Sequence, residues 1–167
     1  MPPSPLRLTR RSYYPLFVAL AFFAIIWAVH VVLPEARRAD FFAPAVLATA
    51  GFAYFLYAQH LQETKLFAEL FRQFNERYDA LNGDLNEILE RPTTQLLSLA
   101  ERQSLYDYFN LCAEEYMYFK AGYIDLEVWK SWKNGMKVYH AHAAIRSLWI
   151  EELKTGSYYS FNLDEMQ

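Results

Sequence analysis

Four side-chain sets in this 167-residue chain have types suited to metal or acid–base chemistry: His140 with His142, Cys112, Glu114 and Glu115. Two residues apart on a helix, His140 and His142 point about 200° away from each other. They cannot share a metal unless the helix breaks between them. The spacing puts His142 on an apolar stripe and His140 on a polar face with Ser147 and Glu151. That reads as one core and one surface histidine. Cys112 falls on the apolar stripe of its own helix, where a thiol acts as a small hydrophobe rather than a nucleophile. As the chain's one cysteine, it also excludes an intrachain disulfide and a multi-cysteine zinc site.

Glu114 and Glu115 diverge by about 100° on a helix. Glu115 lies beside the apolar face with Tyr108, Leu111 and Tyr118. A half-buried carboxylate there needs a basic partner, and Arg146 is the candidate across the helix pair. The expectation is an internal salt bridge rather than a general acid. No H-E-x-x-H, Walker loop, G-x-G-x-x-G or G-x-S-x-G occurs in the chain. The sequence therefore assigns no catalytic, cofactor-binding or metal-ligating residue and calls for no cofactor.

Helices must position these groups. Phe67, Leu70, Phe74, Tyr78, Leu81, Leu85 and Ile88 advance by three or four residues, which is helical spacing. The stripe packs either on this domain's own helices or on a second subunit as a coiled coil. Pro92 ends the helix, and Gly83 is an interior weak point. Ser98 and Glu101 form a capping box that opens the next helix. Leu105, Phe109, Cys112, Tyr116 and Phe119 line its inner face, and Gly122 closes it. Asp125 caps a short helix carrying Val128, Trp129 and Trp132, expected to end near Asn134 and Gly135. A last helix is expected over 137–154, with Val138, His142, Ile145, Trp149 and Leu153 inward. The tail from Ser157 to Phe161 is too aromatic for a free end and is expected to fold back.

Ahead of this domain lie two uncharged runs of 18 residues, Leu16–Leu33 and Phe41–Ala58. Each spans roughly 27 Å as a helix, near the thickness of a thin hydrocarbon core. The seven residues 34–40 can join only adjacent antiparallel helices. Tyr13, Tyr14, Trp27, Tyr54 and Tyr57 are rings suited to membrane interfaces. Arg7, Arg10 and Arg11 precede the pair and Lys65, Arg72 and Arg77 follow it, against Arg37 and Arg38 between. This bias places both termini in the cytoplasm. Ala21, Ala24 and Ala28 on the first span, and Ala45, Thr49 and Ala53 on the second, are small-residue stripes. They allow close packing within the hairpin or between copies. No acid or lysine interrupts either span, which argues against an ion pathway.

The charge divides with the hydrophobicity. Residues 1–60 carry a net +3 and residues 61–167 a net −6. An acidic C-terminal part excludes a phosphate-binding face, hence nucleic acid as a partner. Hydrophobic residues make up 54%, which excludes a disordered chain. The expected fold is all-α. A segment 1–15 leads into a transmembrane helical hairpin at 16–58, and a cytoplasmic helical bundle follows at 59–167.

The densest unusual stretch runs from Tyr106 to Met136, YDYFNLCAEEYMYFKAGYIDLEVWKSWKNGM. An aromatic helix with Glu114, Glu115 and Tyr116 leads through Gly122, Tyr123, Ile124 and Asp125 to Trp129, Trp132 and Gly135-Met136. Ile145, Arg146, Trp149 and the tail from Ser157 to Phe161 continue the pattern. In these residues the chain resembles an uncharacterised family of small bacterial membrane proteins with a Tyr/Trp-rich helical cytoplasmic domain. The resemblance covers roughly residues 66–163. It implies a fold, but no activity and no functional residue, and the chain as a whole is expected in a bacterial inner membrane. Three functions stand as expectations. The first is a membrane-anchored interaction or scaffold module, whose partners are the bilayer and a protein or a second copy. The second is an oligomeric effector that perturbs the membrane, with the cytoplasmic domain as sensor. The third is an enzyme using Cys112 or the histidines.

Overall fold

Local chemistry sets most helix ends. The computed structural model describes residues 6–32, 34–92 and 95–166. Side chains are described from Leu16 onward, except those of Ala36, Arg38, Ala39, Glu165 and Met166. The side chains of Arg7, Arg10, Arg11, Tyr13, Tyr14 and Arg38 therefore lie outside the description, as does the start of the segment 1–15. The chain is all-helical: α1 is Leu6–Val32, α2 Glu35–Glu90, α3 Leu99–Lys120, α4 Leu126–Ala141 and α5 Ala143–Leu153. A 3-10 turn follows at Leu163–Met166. No strand occurs among the described residues.

The chain divides into two compact units, Pro2–Leu66 and Phe67–Gln167. The division falls inside α2, as does the domain boundary at 58/59 read from the sequence. The expected seven-residue connection at 34–40 is instead helix from Glu35 onward. Pro34 interrupts the chain, Glu35 puts an acid in the first turn, and Ala36, Arg37, Arg38 and Ala39 are good helix formers. The Arg37 N–H donates to the Pro34 carbonyl at 3.0 Å. Further along α2, Thr49 is the covered position, and its hydroxyl donates back to the Ala45 carbonyl at 2.8 Å. On α1 the covered face is Val18, Ala21, Phe22, Ile25, Ile26 and Val29. The expected stripe of Ala21, Ala24 and Ala28 is only partly that face, since Ala24 and Ala28 are exposed. Branched and aromatic side chains do the covering instead.

In the second unit α3 is the central helix. It buries Tyr108, Phe109, Leu111, Cys112, Ala113, Glu115 and Tyr116, more than one stripe, so neighbours cover it on several sides. The capping box is formed as expected. The Ser98 N–H donates to Glu101 Oε2 at 2.7 Å, and the Glu101 N–H donates to Ser98 Oγ at 3.3 Å. At the other end Gly122 takes φ +79°, and the Tyr123 N–H donates to the Tyr118 carbonyl at 2.9 Å. That left-handed cap suits glycine. The stripe on α2 packs inside this unit: Leu70, Phe74, Leu85 and Ile88 are buried with α3. Its apolar face is therefore occupied within the chain, not offered to a coiled-coil partner. The helix runs through Gly83 unbroken.

A second helix boundary also differs from expectation. α4 does not stop at Gly135 but continues to Ala141, and the break falls at His142, whose backbone is extended (φ −73°, ψ 123°). A glycine costs about 1 kcal/mol in a helix. Burial of Trp129, Met136 and Tyr139 on one α4 face outweighs it. Val138, expected inward on the last helix, belongs to α4 and is exposed.

Rings knit the layers. Phe109 stacks on Trp149 with centroids 4.6 Å apart, and Trp149 meets Phe161 at 5.9 Å. Phe119 stacks on Trp129 at 5.1 Å. The tail folds back as expected, burying Tyr158 and Phe161. It does so through Tyr159 and Ser160, both at positive φ, with the Phe161 N–H donating to the Tyr158 carbonyl at 2.7 Å. Trp149 is fully buried at the centre of this network. Trp149→Ala is expected to cost about 3–5 kcal/mol. Lys154→Ala, on an exposed residue, should change stability by less than about 0.5 kcal/mol. Near-ultraviolet circular dichroism of thermally unfolded full-length protein in mild detergent measures both. Equal midpoints for Trp149→Ala and the parent would place Trp149 outside the core.

Candidate functional site

Tyr108, Cys112 and Glu115 recur at steps of four and three, so they share one face of α3. This face does not close completely against its neighbours. A cavity of about 190 Å³ remains, lined by Asn75 and Tyr78 of α2, Tyr108 and Glu115 of α3, and Ser131, Trp132, Gly135 and Met136 of α4. Tyr108, Glu115 and Met136 are buried and form its floor, while Ser131 and Gly135 are exposed and mark its mouth. Trp132 is held by Phe71 and Phe74, at centroid distances of 6.0 and 5.7 Å.

Glu115 is the unusual group. It is only 6% exposed, and Arg77 acts on it through charge rather than through a hydrogen bond. The expected partner Arg146 does not serve it. Arg146 is an exposed residue of α5, and its charge acts on His140. The nearer cation is Arg77, but the register of α2 against α3 sets Arg77 on Glu114, with contacts of 2.5 and 3.2 Å. Burial therefore dominates and raises the Glu115 pKa to about 8. The Arg77 charge opposes this and the Glu114 charge adds to it. At neutral pH the carboxyl carries a proton. It can both donate and accept a hydrogen bond into the cavity.

The Tyr108 and Tyr139 hydroxyls and the Cys112 thiol are protonated as well. Burial pushes the Cys112 thiol well above its ordinary value, with Glu115 adding to the effect. Burial also pushes up Tyr108, which hydrogen-bonds Cys112. The Tyr78 and Tyr139 hydroxyls share a hydrogen bond at 2.8 Å, and burial with this bond raises Tyr139. Such a thiol is a poor nucleophile. The cluster is suited to binding through hydrogen bonds and ring faces, not to covalent attack.

The histidines are separated by the helix break that the spacing argument had treated as absent. His140 packs edge-on to Trp149 at 6.2 Å rather than lying on an open polar face. His142 joins α4 to α5, its Nε2 being 3.4 Å from the Arg91 carbonyl oxygen. Among the described residues no three His, Cys, Asp or Glu side chains gather as a metal set. A second cavity, of about 420 Å³, lies in the first unit and is apolar, with Phe22, Ile25, Val29, Phe42 and Val46 on its walls. No protein-family model, curated protein or solved structure matches this chain.

Sequence spacing finds Glu115, but not Asn75, Ser131 or Gly135 beside it. Those three become neighbours only through the crossing of α2 and α4 over α3. Two outcomes follow from the geometry. The folded chain keeps the Glu115 proton up to about pH 8, whereas an unfolded chain releases it near 4.5. The resulting stability is full below about pH 4.5 and is lost as pH rises through about 8. Its slope is at most about 1.4 kcal/mol per pH unit. Unfolding titrations from pH 5 to 9 should show this slope in the parent minus Glu115→Gln difference, with Glu115→Gln the more stable at pH 8. Separately, Cys112 should label slowly with a thiol reagent in the native protein and fast in denaturant. Equal rates would show an exposed thiol.

Proposed function

We propose that this chain is a membrane-anchored helical interaction module. In this reading residues 16–58 form a two-helix hairpin in a bacterial inner membrane, with both termini in the cytoplasm. The observation that carries it is the apolar surface of the first unit. Phe23, Trp27, Leu47 and Tyr54 are 66%, 66%, 71% and 72% exposed. Water covers such a surface at high cost, whereas lipid chains solvate it. Among the described residues α2 alone is long and apolar enough to cross a membrane, within Asp40–Glu90, and Leu16–Val32 is a shorter apolar helix. The short α1 segment is 17 residues, at the low end of what spans a hydrocarbon core. Thinning of the bilayer or snorkelling of flanking groups accommodates such a length.

The second unit supplies the interaction. Its aromatic interior is packed, and its chemistry favours binding over covalent catalysis. The partner is a protein, or a second copy of the chain. An oligomeric membrane effector is less well supported. It needs a free close-packing stripe in the bilayer. The stripe of Ala45, Thr49 and Ala53 is the covered or half-covered face of α2 in its own unit.

A reporter active only in the cytoplasm, fused after Gln167, should be active, and the protein should resist extraction from membranes at alkaline pH. Activity of a periplasm-only reporter at the same site would reverse the orientation. Release into the soluble fraction would remove the anchor altogether.

A further inference from the structure

We propose that the cavity around Glu115 is a binding site for a small alkylammonium ion, a primary amine in its protonated form. The site lies wholly within Phe67–Gln167 and does not depend on the membrane reading. Three features of the cavity define the ligand. Its floor carries the Glu115 carboxyl, on a residue only 6% exposed. Such a group costs stability unless something pairs with it. Its walls include the rings of Tyr78, Tyr108 and Trp132, whose faces attract cations. Its lining also includes Asn75, whose amide nitrogen is already tied to the Phe71 carbonyl at 2.6 Å. The amide oxygen is the acceptor left to face an ammonium N–H.

The charge around the cavity selects further. Among the described residues no Lys or Arg lines it. The cation nearest Glu115, Arg77, is held by Glu114. An anion would therefore meet two acids and no free base. A neutral alcohol would gain a hydrogen bond but none of the attraction to rings and carboxylate. A volume of about 190 Å³ equals roughly six waters, enough for an ion of a few carbons and too small for a peptide. On binding, the ammonium ion pairs with the carboxylate, and the carboxyl proton leaves to buffer. The groups facing Glu115 in this step are Tyr108, Cys112 and Glu114 on its own helix and Tyr78 and Arg77 from α2. Burial keeps Tyr108 and the Cys112 thiol protonated throughout, so Glu115 is the proton donor.

The test is titration calorimetry of the full-length protein in mild detergent at pH 7, in two buffers of different ionisation heat. The probes are n-propylammonium, n-propanol and propionate, which share a size and differ in charge. Saturable binding of n-propylammonium alone, with proton release, is expected. Glu115→Gln, which keeps the fold, should weaken it about ten-fold or more. Gly135→Leu tests the mouth independently. A Cβ at Gly135 meets nothing within 4 Å, and leucine favours helix, so the fold survives while entry narrows. Binding should fall there too. No saturable heat with n-propylammonium, undiminished binding by Glu115→Gln, or equal binding of n-propanol would each overturn the proposal.

Discussion

The stack of Phe109 on Trp149 holds α3 against α5, and much of the second unit hangs on it. Its centroid distance of 4.6 Å leaves no room for slippage between the two helices. Tyr108, the residue before it on α3, meets the same indole in a T-shaped contact with centroids 5.8 Å apart. Phe161 then covers Trp149 from the tail. With α3 held in this way, Cys112 and Glu115 have a fixed aspect toward α2 and α4. The polar cavity is thus a by-product of ring packing: flat, bulky groups fill one side of α3 and leave a gap on the other.

Much of this was legible because it is local. Ser98 and Glu101 lie three residues apart, so their capping box needs no knowledge of the fold. The apolar steps of α2 and α3 are likewise a property of one helix at a time. What failed was whatever needed two helices at once. Arg77 and Arg146 are both plausible partners for an acid on α3, and only the register of α2 against α3 decides that Arg77 takes Glu114. The boundary at His142 failed for a related reason. Asn134 and Gly135 are strong local stop signals, but Met136 and Tyr139 gain more from burial on the far side of them than a helical glycine loses. The cavity was not legible at all, since a void is a property of packing and has no residue of its own.

The two units solve opposite solvation problems. Beyond Phe67 the large side chains turn inward, and a central helix is enclosed by its neighbours. Before Leu66 they turn outward, and even bulky rings such as Trp27 and Tyr54 have little protein over them. An interior built on Trp149 works in water. An exterior built on Phe23 and Leu47 is the surface on which the proposed membrane anchor rests. The opposite net charges of the two parts run the same way.

Glu115 also bears on how such a chain changes under selection. A mutational screen that rewards heat resistance alone would favour glutamine or an apolar residue at this position, because burial of the acid outweighs the opposing Arg77 charge. Sequences optimised for robustness would lose the carboxyl early and keep the rings around it. The cavity would survive as a shape with its polarity erased. A variant hardened in this way would pass every test of folding while no longer being the same instrument.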